Sequence, residues 1–195
     1  DAWYNDLAPS GLANKSVAYT ERPDMETFMD EWVSIGKSKS GERGIFNRVA
    51  AQKQAAKWDR RSDALSYGTN PCSEIILRDK QFCNLTEVVV RANDTKETLT
   101  RKVQLATILG TLQSNLTNFQ FLSAEWTKNT KEERLLGVSL TGIMDAKITS
   151  NPDPIFLEEL KHEANKTNKK YAKMLDIEPS KSCLLYTSPS PRDGL

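Results

Sequence analysis

Apolar positions recur at helical spacing through Met25, Phe28, Met29, Trp32 and Ile35, which predicts an amphipathic helix that opens with Asp24 as N-cap behind Pro23. The polar run KSKSGERG interrupts the pattern. IFNRVAAQKQAAKW resumes it, so a second helix is expected over 45–58, ahead of the turn-prone stretch DRRSDALSYGTNP. Across 74–90 the texture changes to EIIL, a charged RDKQ turn and FCNLTEVVV, and this enrichment in β-branched residues predicts two strands. Leu99, Val103, Ala106, Leu109 and Leu112 share one face of a long helix expected over 95–121. The run LLGVSLTGIM at 135–144 reads as a buried strand entering a glycine turn, and 154–175 as a final helix with many exposed lysines and glutamates. Strands alternating with long helices imply an α/β architecture, and no internal repeat breaks that reading.

Length and charge narrow the class without choosing a function. The 195 residues suffice for one domain or a piece of a larger one, and 27 basic against 26 acidic side chains leave a net charge of +1. No overall field draws the chain to nucleic acid or to an anionic membrane. No run approaches the roughly eighteen apolar residues of a membrane span, and DAWYNDLAPS has neither the basic nor the apolar region of a secretion signal, so a cytoplasmic protein is expected. The Asn-x-Ser/Thr triplets at Asn14 and Asn84 carry no glycosylation meaning in that setting. The chain opens on Asp1 and closes on CLLYTSPSPRDGL, a Ser/Pro-rich departure that looks like a translated sequencing-library adapter. Residues 1–182 are therefore read as the native piece and 183–195 as an appended tail outside the fold, the alternative being a native disordered tail.

Cys72, Cys83 and Cys183 are odd in number and lack CxxC spacing, which argues against a disulfide framework and a zinc cage. Thiol chemistry stays open. In TNPCSEIIL, Asn70, Cys72 and Glu74 stand at i, i+2 and i+4, so an extended chain would place an amide, a thiol and a carboxylate on one face, about 6.5 Å apart at each step. Pro71 disfavours the helical region for Asn70. Removing the 2′-hydroxyl of a ribose needs a one-electron abstractor of the 3′-hydrogen, a base for the 3′-hydroxyl and a hydrogen-bonding group for the diol. The three side chains match those needs, provided a cofactor first converts the thiol to a thiyl radical in a dry site.

TNPCSEIIL followed by FCNLTEVVV resembles the active-site region of ribonucleotide reductases, most closely the class II, adenosylcobalamin-dependent ribonucleoside triphosphate reductases. ANKSVAYTERPD, SGERGIFNR and ERLLGVSLTGIMD carry the same likeness, so five blocks in order extend it over 1–182. The resemblance implies part of a ten-stranded α/β barrel in a catalytic subunit that reduces ribonucleoside triphosphates to deoxyribonucleotides. It implies that Cys72 is the thiyl radical, that Glu74 takes the 3′-hydroxyl proton, that Asn70 binds the substrate hydroxyls, and that Cys83 is half of the reducing cysteine pair. Adenosylcobalamin and a thioredoxin-type reductant are likewise implied, with a class I diphosphate reductase as the runner-up. The other half of the Cys83 pair resembles a cysteine that would precede this segment.

A hairpin centred on Asp79-Lys80 would set Cys83 opposite Ile76 and about 13 Å along the strand from Cys72, beyond the reach of a disulfide. That register is an assumption. More commonly a cysteine near strands is a small buried hydrophobe, Asn before Pro is a turn residue, and Glu74 could be a solvated charge. His162, in LEELKHEANK, is expected as a solvated helix residue, which disfavours a Cys-His hydrolase. Ser40 to Gly44 lacks the Lys-Ser/Thr ending of a phosphate loop. A thiol-disulfide oxidoreductase using Cys83 and a non-enzymatic interaction module complete the alternatives.

Overall fold

The computed structural model describes residues 16–39, 44–56, 61, 62, 64–70 and 75–181, and the backbone of 183–186. The chain forms two compact units, Asp1–Asp79 and Lys80–Leu195.

In the first unit, strand β1 (Val17–Tyr19) pairs in parallel with β2 (Ile45–Asn47) across helix α1 (Met25–Ser38). Helix α1 starts as its sequence predicts, with the Asp24 carboxylate accepting from the Thr27 N–H at 2.8 Å, and it stops at Lys39 in the left-handed region (φ 50°). Its apolar face gains no core: Met25, Met29 and Trp32 stay exposed, and Trp32 stacks on Phe28 with centroids 6.2 Å apart. The second helix is shorter than expected. Ile45–Asn47 are strand, and α2 (Arg48–Ala56) begins only after Asn47, whose side-chain oxygen accepts from the Ala50 N–H at 2.9 Å. Pairing to β1 claims the apolar 45–46 dipeptide, and the Asn47 cap sets the boundary.

Strand β3 (Tyr67–Thr69), in the stretch read as turn, pairs antiparallel with β4 (Ile76–Arg78), Thr69 opposite Ile76. The expected hairpin between EIIL and FCNLTEVVV is therefore corrected. Both strands exist and Lys80 marks a turn (φ 50°), but β4 goes to β3, while β5 (Asn84–Val89) pairs in parallel with β6 (Leu136–Thr141). The assumed opposition of Cys83 and Ile76, and the distance built on it, fall with that register. Alternating apolar residues specify a strand but not its partner.

The second unit is built on the sheet β5-β6-β7, parallel throughout, with β7 at Cys183–Tyr186. Residues 183–186 were expected outside the fold. Their backbone instead extends the ladder from Leu136↔Cys183 to Ser139↔Tyr186. Helices α3 (Lys96–Gln113) and α4 (Ala124–Glu133) carry the crossover from β5 to β6, and short α5 (Lys147–Ser150) with long α6 (Pro154–Met174) carries the next. Val88 and Val90 of the β5 segment, Leu136, Val138 and Leu140 of β6, Leu99 and Val103 of α3, and Phe156, Leu160 and Ala164 of α6 form one buried cluster. Both long helices therefore cover the same face of the sheet. Gln104 and Glu163 bridge them at 3.0 Å, and Asn168 donates to the Thr111 hydroxyl at 2.9 Å.

Helix α3 departs from its expected face and length. Leu109 and Leu112 are 61% and 48% exposed, whereas Leu99, Val103, Thr107, Gly110 and Thr111 are buried. Thr107 and Thr111 satisfy their hydroxyls on the carbonyls four residues back, at 2.7 Å each, and a Cβ on Gly110 would lie 2.2 Å from a Leu136 methyl. Small and self-satisfied residues thus let the helix approach the sheet more closely than leucines could. The helix ends at Gln113, not near 121. There the Arg134 guanidinium takes the Ser114 carbonyl at 2.8 Å, and the following amides of Asn115 and Leu116 bond three residues back.

Seven strands in three small sheets are present among the described residues. At the C-terminal end of β6, Gly142 adopts φ +72°, and a Cβ there would meet the Val90 carbonyl oxygen at 2.6 Å. Gly142→Ala combines left-handed strain with a backbone clash and should cost about 2 kcal/mol or more in urea unfolding. Gly36→Ala, in α1 with no atom within 4 Å of the new methyl, should gain about 0.5–1 kcal/mol in the same measurement.

Candidate functional site

Cys72 and Glu74, with Pro71 and Ser73, lie outside the described residues. The positions that flank them are defined. The Asn70 N–H donates to the Ile75 carbonyl at 3.4 Å, and the Ile75 N–H donates to Asn70 Oδ1 at 2.9 Å. These two bonds tie Asn70 to Ile75, directly beside the paired positions Thr69 and Ile76 of antiparallel β3 and β4. The expected face of Asn70, Cys72 and Glu74 runs through positions outside the described residues.

Strands β3 and β4 are braced from their own unit. Tyr67 is buried, donating its hydroxyl to the Ser62 carbonyl at 2.7 Å, and the Arg61 guanidinium lies 4.7 Å over its ring while donating to the Ile76 carbonyl at 2.8 Å. From α2, Arg48 donates to the Tyr67 carbonyl at 2.8 Å and Gln52 to the Leu65 carbonyl at 3.1 Å. These bonds hold both strands next to Asn70 and Ile75. Half-buried Asn70 spends its side-chain oxygen on the Ile75 N–H, accepting also from the Thr69 hydroxyl at 3.3 Å, so its Nδ2 group is the part available to donate outward.

Cys83 belongs to the other compact unit, immediately ahead of β5. It is a half-buried thiol whose sulfur lies 3.6 Å from the Asn84 carbonyl. The residues before it are anchored: buried Gln81 donates to the buried Glu133 carboxylate and, at 3.3 Å, to the Asn129 carbonyl, while Phe82 packs 4.6 Å from Trp126 and 5.1 Å from Phe119 between centroids. Sequence reading missed Glu133, which lies 52 residues from Gln81 with no local signal to join them.

At the C-terminal end of β5, where parallel α/β sheets place ligands, the side chain of Asp94 is 6% exposed and closes the turn into α3. It accepts from Lys102 at 2.6 Å, from the Arg91 N–H at 2.8 Å and from the Thr98 hydroxyl at 2.9 Å. The hydrogen bond from Lys102, opposed by burial and reinforced by the other donors, holds this carboxyl below its ordinary range. Asp94 is thereby committed to structure. His162 is exposed on α6, as expected, and positions 40–43 of the rejected phosphate loop lie outside the described residues.

An open cleft between α4 and the end of α6 is lined by charged groups such as Lys131 and Lys169, a lining that does not suit a broad and largely apolar macrocycle. No helix among them is long and apolar enough to cross a membrane. No protein-family model, no curated protein and no solved structure matches the chain.

Asn70→Ala removes the acceptor that holds Ile75, and hydrogen exchange of the Ile75 amide should accelerate about fivefold, equivalent to about 1 kcal/mol, while exchange in α3 and α6 is unchanged. Asp94 carries a lowered folded-state pKa, so its contribution is complete above the unfolded value near 4 and is lost as pH falls through the folded value. Asp94→Asn should therefore destabilise by about 1–2 kcal/mol at neutral pH in urea titrations, and its gap from the parent should narrow at about pH 3 and below.

Proposed function

We propose that this chain is a segment of a ribonucleotide reductase catalytic subunit, a cytoplasmic enzyme that converts ribonucleoside triphosphates to 2′-deoxyribonucleotides. The observation that carries the proposal is TNPCSEIIL followed by FCNLTEVVV, with three further blocks of the same likeness in chain order. Two structural features support it. The residues on either side of positions 71–74 are tied together through Asn70 and Ile75 and braced by Arg48 and Arg61, which suits a neighbouring residue that must be presented to a substrate in a fixed way. The sheet β5-β6-β7 winds in sequential order with both long helices on one face, as the wall of an α/β barrel does.

In this proposal the Cys72 thiyl radical takes the 3′-hydrogen atom from the ribose and becomes a thiol. Glu74 accepts the 3′-hydroxyl proton, and the Nδ2 amide of Asn70 donates to a substrate hydroxyl oxygen. The 2′-oxygen leaves as water. Two electrons and two protons come from a cysteine pair that includes Cys83 and ends as a disulfide, and the hydrogen first abstracted returns to C3′ from Cys72. Adenosylcobalamin would supply the one-electron oxidation that starts the cycle, and a thioredoxin-type protein would re-reduce the cysteine pair. A reducing cytoplasm keeps both thiols competent.

The test uses the complete enzyme that contains this segment. Cys72→Ser should lower nucleotide reduction by at least about a thousandfold while nucleotide binding stays within about threefold. Cys83→Ser should also stop net reduction. Retained turnover in the Cys72 variant would reject the chemistry, whereas turnover that needs a separate radical-generating subunit and no cobalamin would reject the cofactor alone.

A further inference from the structure

The second unit carries a group of cations that the proposed chemistry does not use. Lys131 stands in the last turn of α4, Arg134 follows it in the left-handed region (φ 43°), and Lys169 and Lys173 are one turn apart near the end of α6. Together with Asp176 and Glu178 they line an open cleft of about 510 Å³.

Arg134 is the unusual member. It is 8% exposed, one Nη donates to the Ser114 carbonyl at 2.8 Å, and its buried Nε has no hydrogen-bond partner among the described residues. Burial pulls its pKa below the ordinary arginine value and the Glu178 carboxylate opposes that, so the guanidinium remains a charged donor. Glu178 supplies partial charge compensation but no hydrogen bond to Nε, and a buried cation left with an unused N–H is costly. The three lysines form no ion pair among the described residues, where the recorded lysine pairs involve Lys80, Lys96, Lys102 and Lys166. Helix-end dipoles account for Lys131 and Lys173, each in a last turn, but not for Lys169 or for the unused Nε of Arg134.

We infer that this cleft is a binding site for a phosphate-class dianion, with Arg134 at its floor and Lys131, Lys169 and Lys173 around its rim. Four cations against two carboxylates leave an excess of two positive charges, which one dianion neutralises. A planar guanidinium flanked by ammonium groups suits tetrahedral oxygens, and the lining is mostly charged, with only Ile177 and Pro179 apolar. The anion is either inorganic phosphate or the monoester phosphate of a small metabolite.

The whole 195-residue chain is titrated calorimetrically with inorganic phosphate and, separately, with glycerol 3-phosphate, against sodium chloride at matched ionic strength. Saturable binding is expected for at least one phosphate, and a tenfold preference for the ester would identify an organic phosphate as the source. Lys169→Gln with Lys173→Gln changes exposed side chains, so folding should persist while affinity falls about tenfold. Arg134→Lys keeps the charge but loses the fork, and should weaken binding by a similar factor. No saturable binding above chloride, or undiminished affinity in the double lysine variant, would overturn the site.

Discussion

Parallel pairing of β5 with β6 is the constraint from which the second unit follows. Two parallel strands cannot be joined by a tight turn, so the chain must cross over, and α3 with α4 fills that crossover. The same demand recurs between β6 and β7 and is met by α6. Because both long helices return over one face, a single cluster around Val138 and Leu160 carries the packing of the whole unit. The bare face of Gly110 allows α3 to sit close enough for that cluster to close, and Gly142 allows β6 to turn against the Val90 carbonyl. On the opposite face Leu85 and Val89 remain exposed, although parallel sheets are ordinarily covered on both sides. In the proposed barrel that face turns inward.

Periodicity made the regular elements legible and left their partners hidden. Helix α1, helix α6 and strand β6 stand close to where apolar spacing places them, since each has a strong pattern and clear boundary residues such as Asp24, Pro154 and Gly142. The buried face of α3 was misread because leucine count is a poor guide where a glycine and back-bonded threonines make the contact. Strand β3 escaped notice because three residues among turn formers show no alternation. The β4 partner was wrong for a deeper reason, that ladder choice is settled by long-range pairing and not by the strand's own sequence.

The residue types at the candidate site were legible, while their geometry was not. Asn-Pro reads either as a turn signal or as part of an extended chain, and spacing could not show that Asn70 is tied to Ile75 by two bonds. This changes what Asn70 can do. An amide that has spent its oxygen on Ile75 can offer only N–H donors, and hydroxyl oxygens accept from such donors. Aspartate, an acceptor alone when ionised, could hold Ile75 but could not fill the second role. One asparagine thus joins the tie to Ile75 with the proposed contact to a sugar.

Net charge hides the basic cleft because charge is an additive property and a site is a local one. A total of +1 is compatible with four cations gathered against only two carboxylates, since the balancing acidic groups lie elsewhere on the chain. Only the fold brings them together. Lys131 and Arg134 arrive at the end of α4, while Lys169 and Lys173 arrive from α6, about 35–40 residues later along the chain, and the adjacency exists because successive parallel crossovers stack their helix ends at one edge of the sheet. Composition therefore excluded an overall attraction to polyanions such as nucleic acid without excluding a pocket for one small anion.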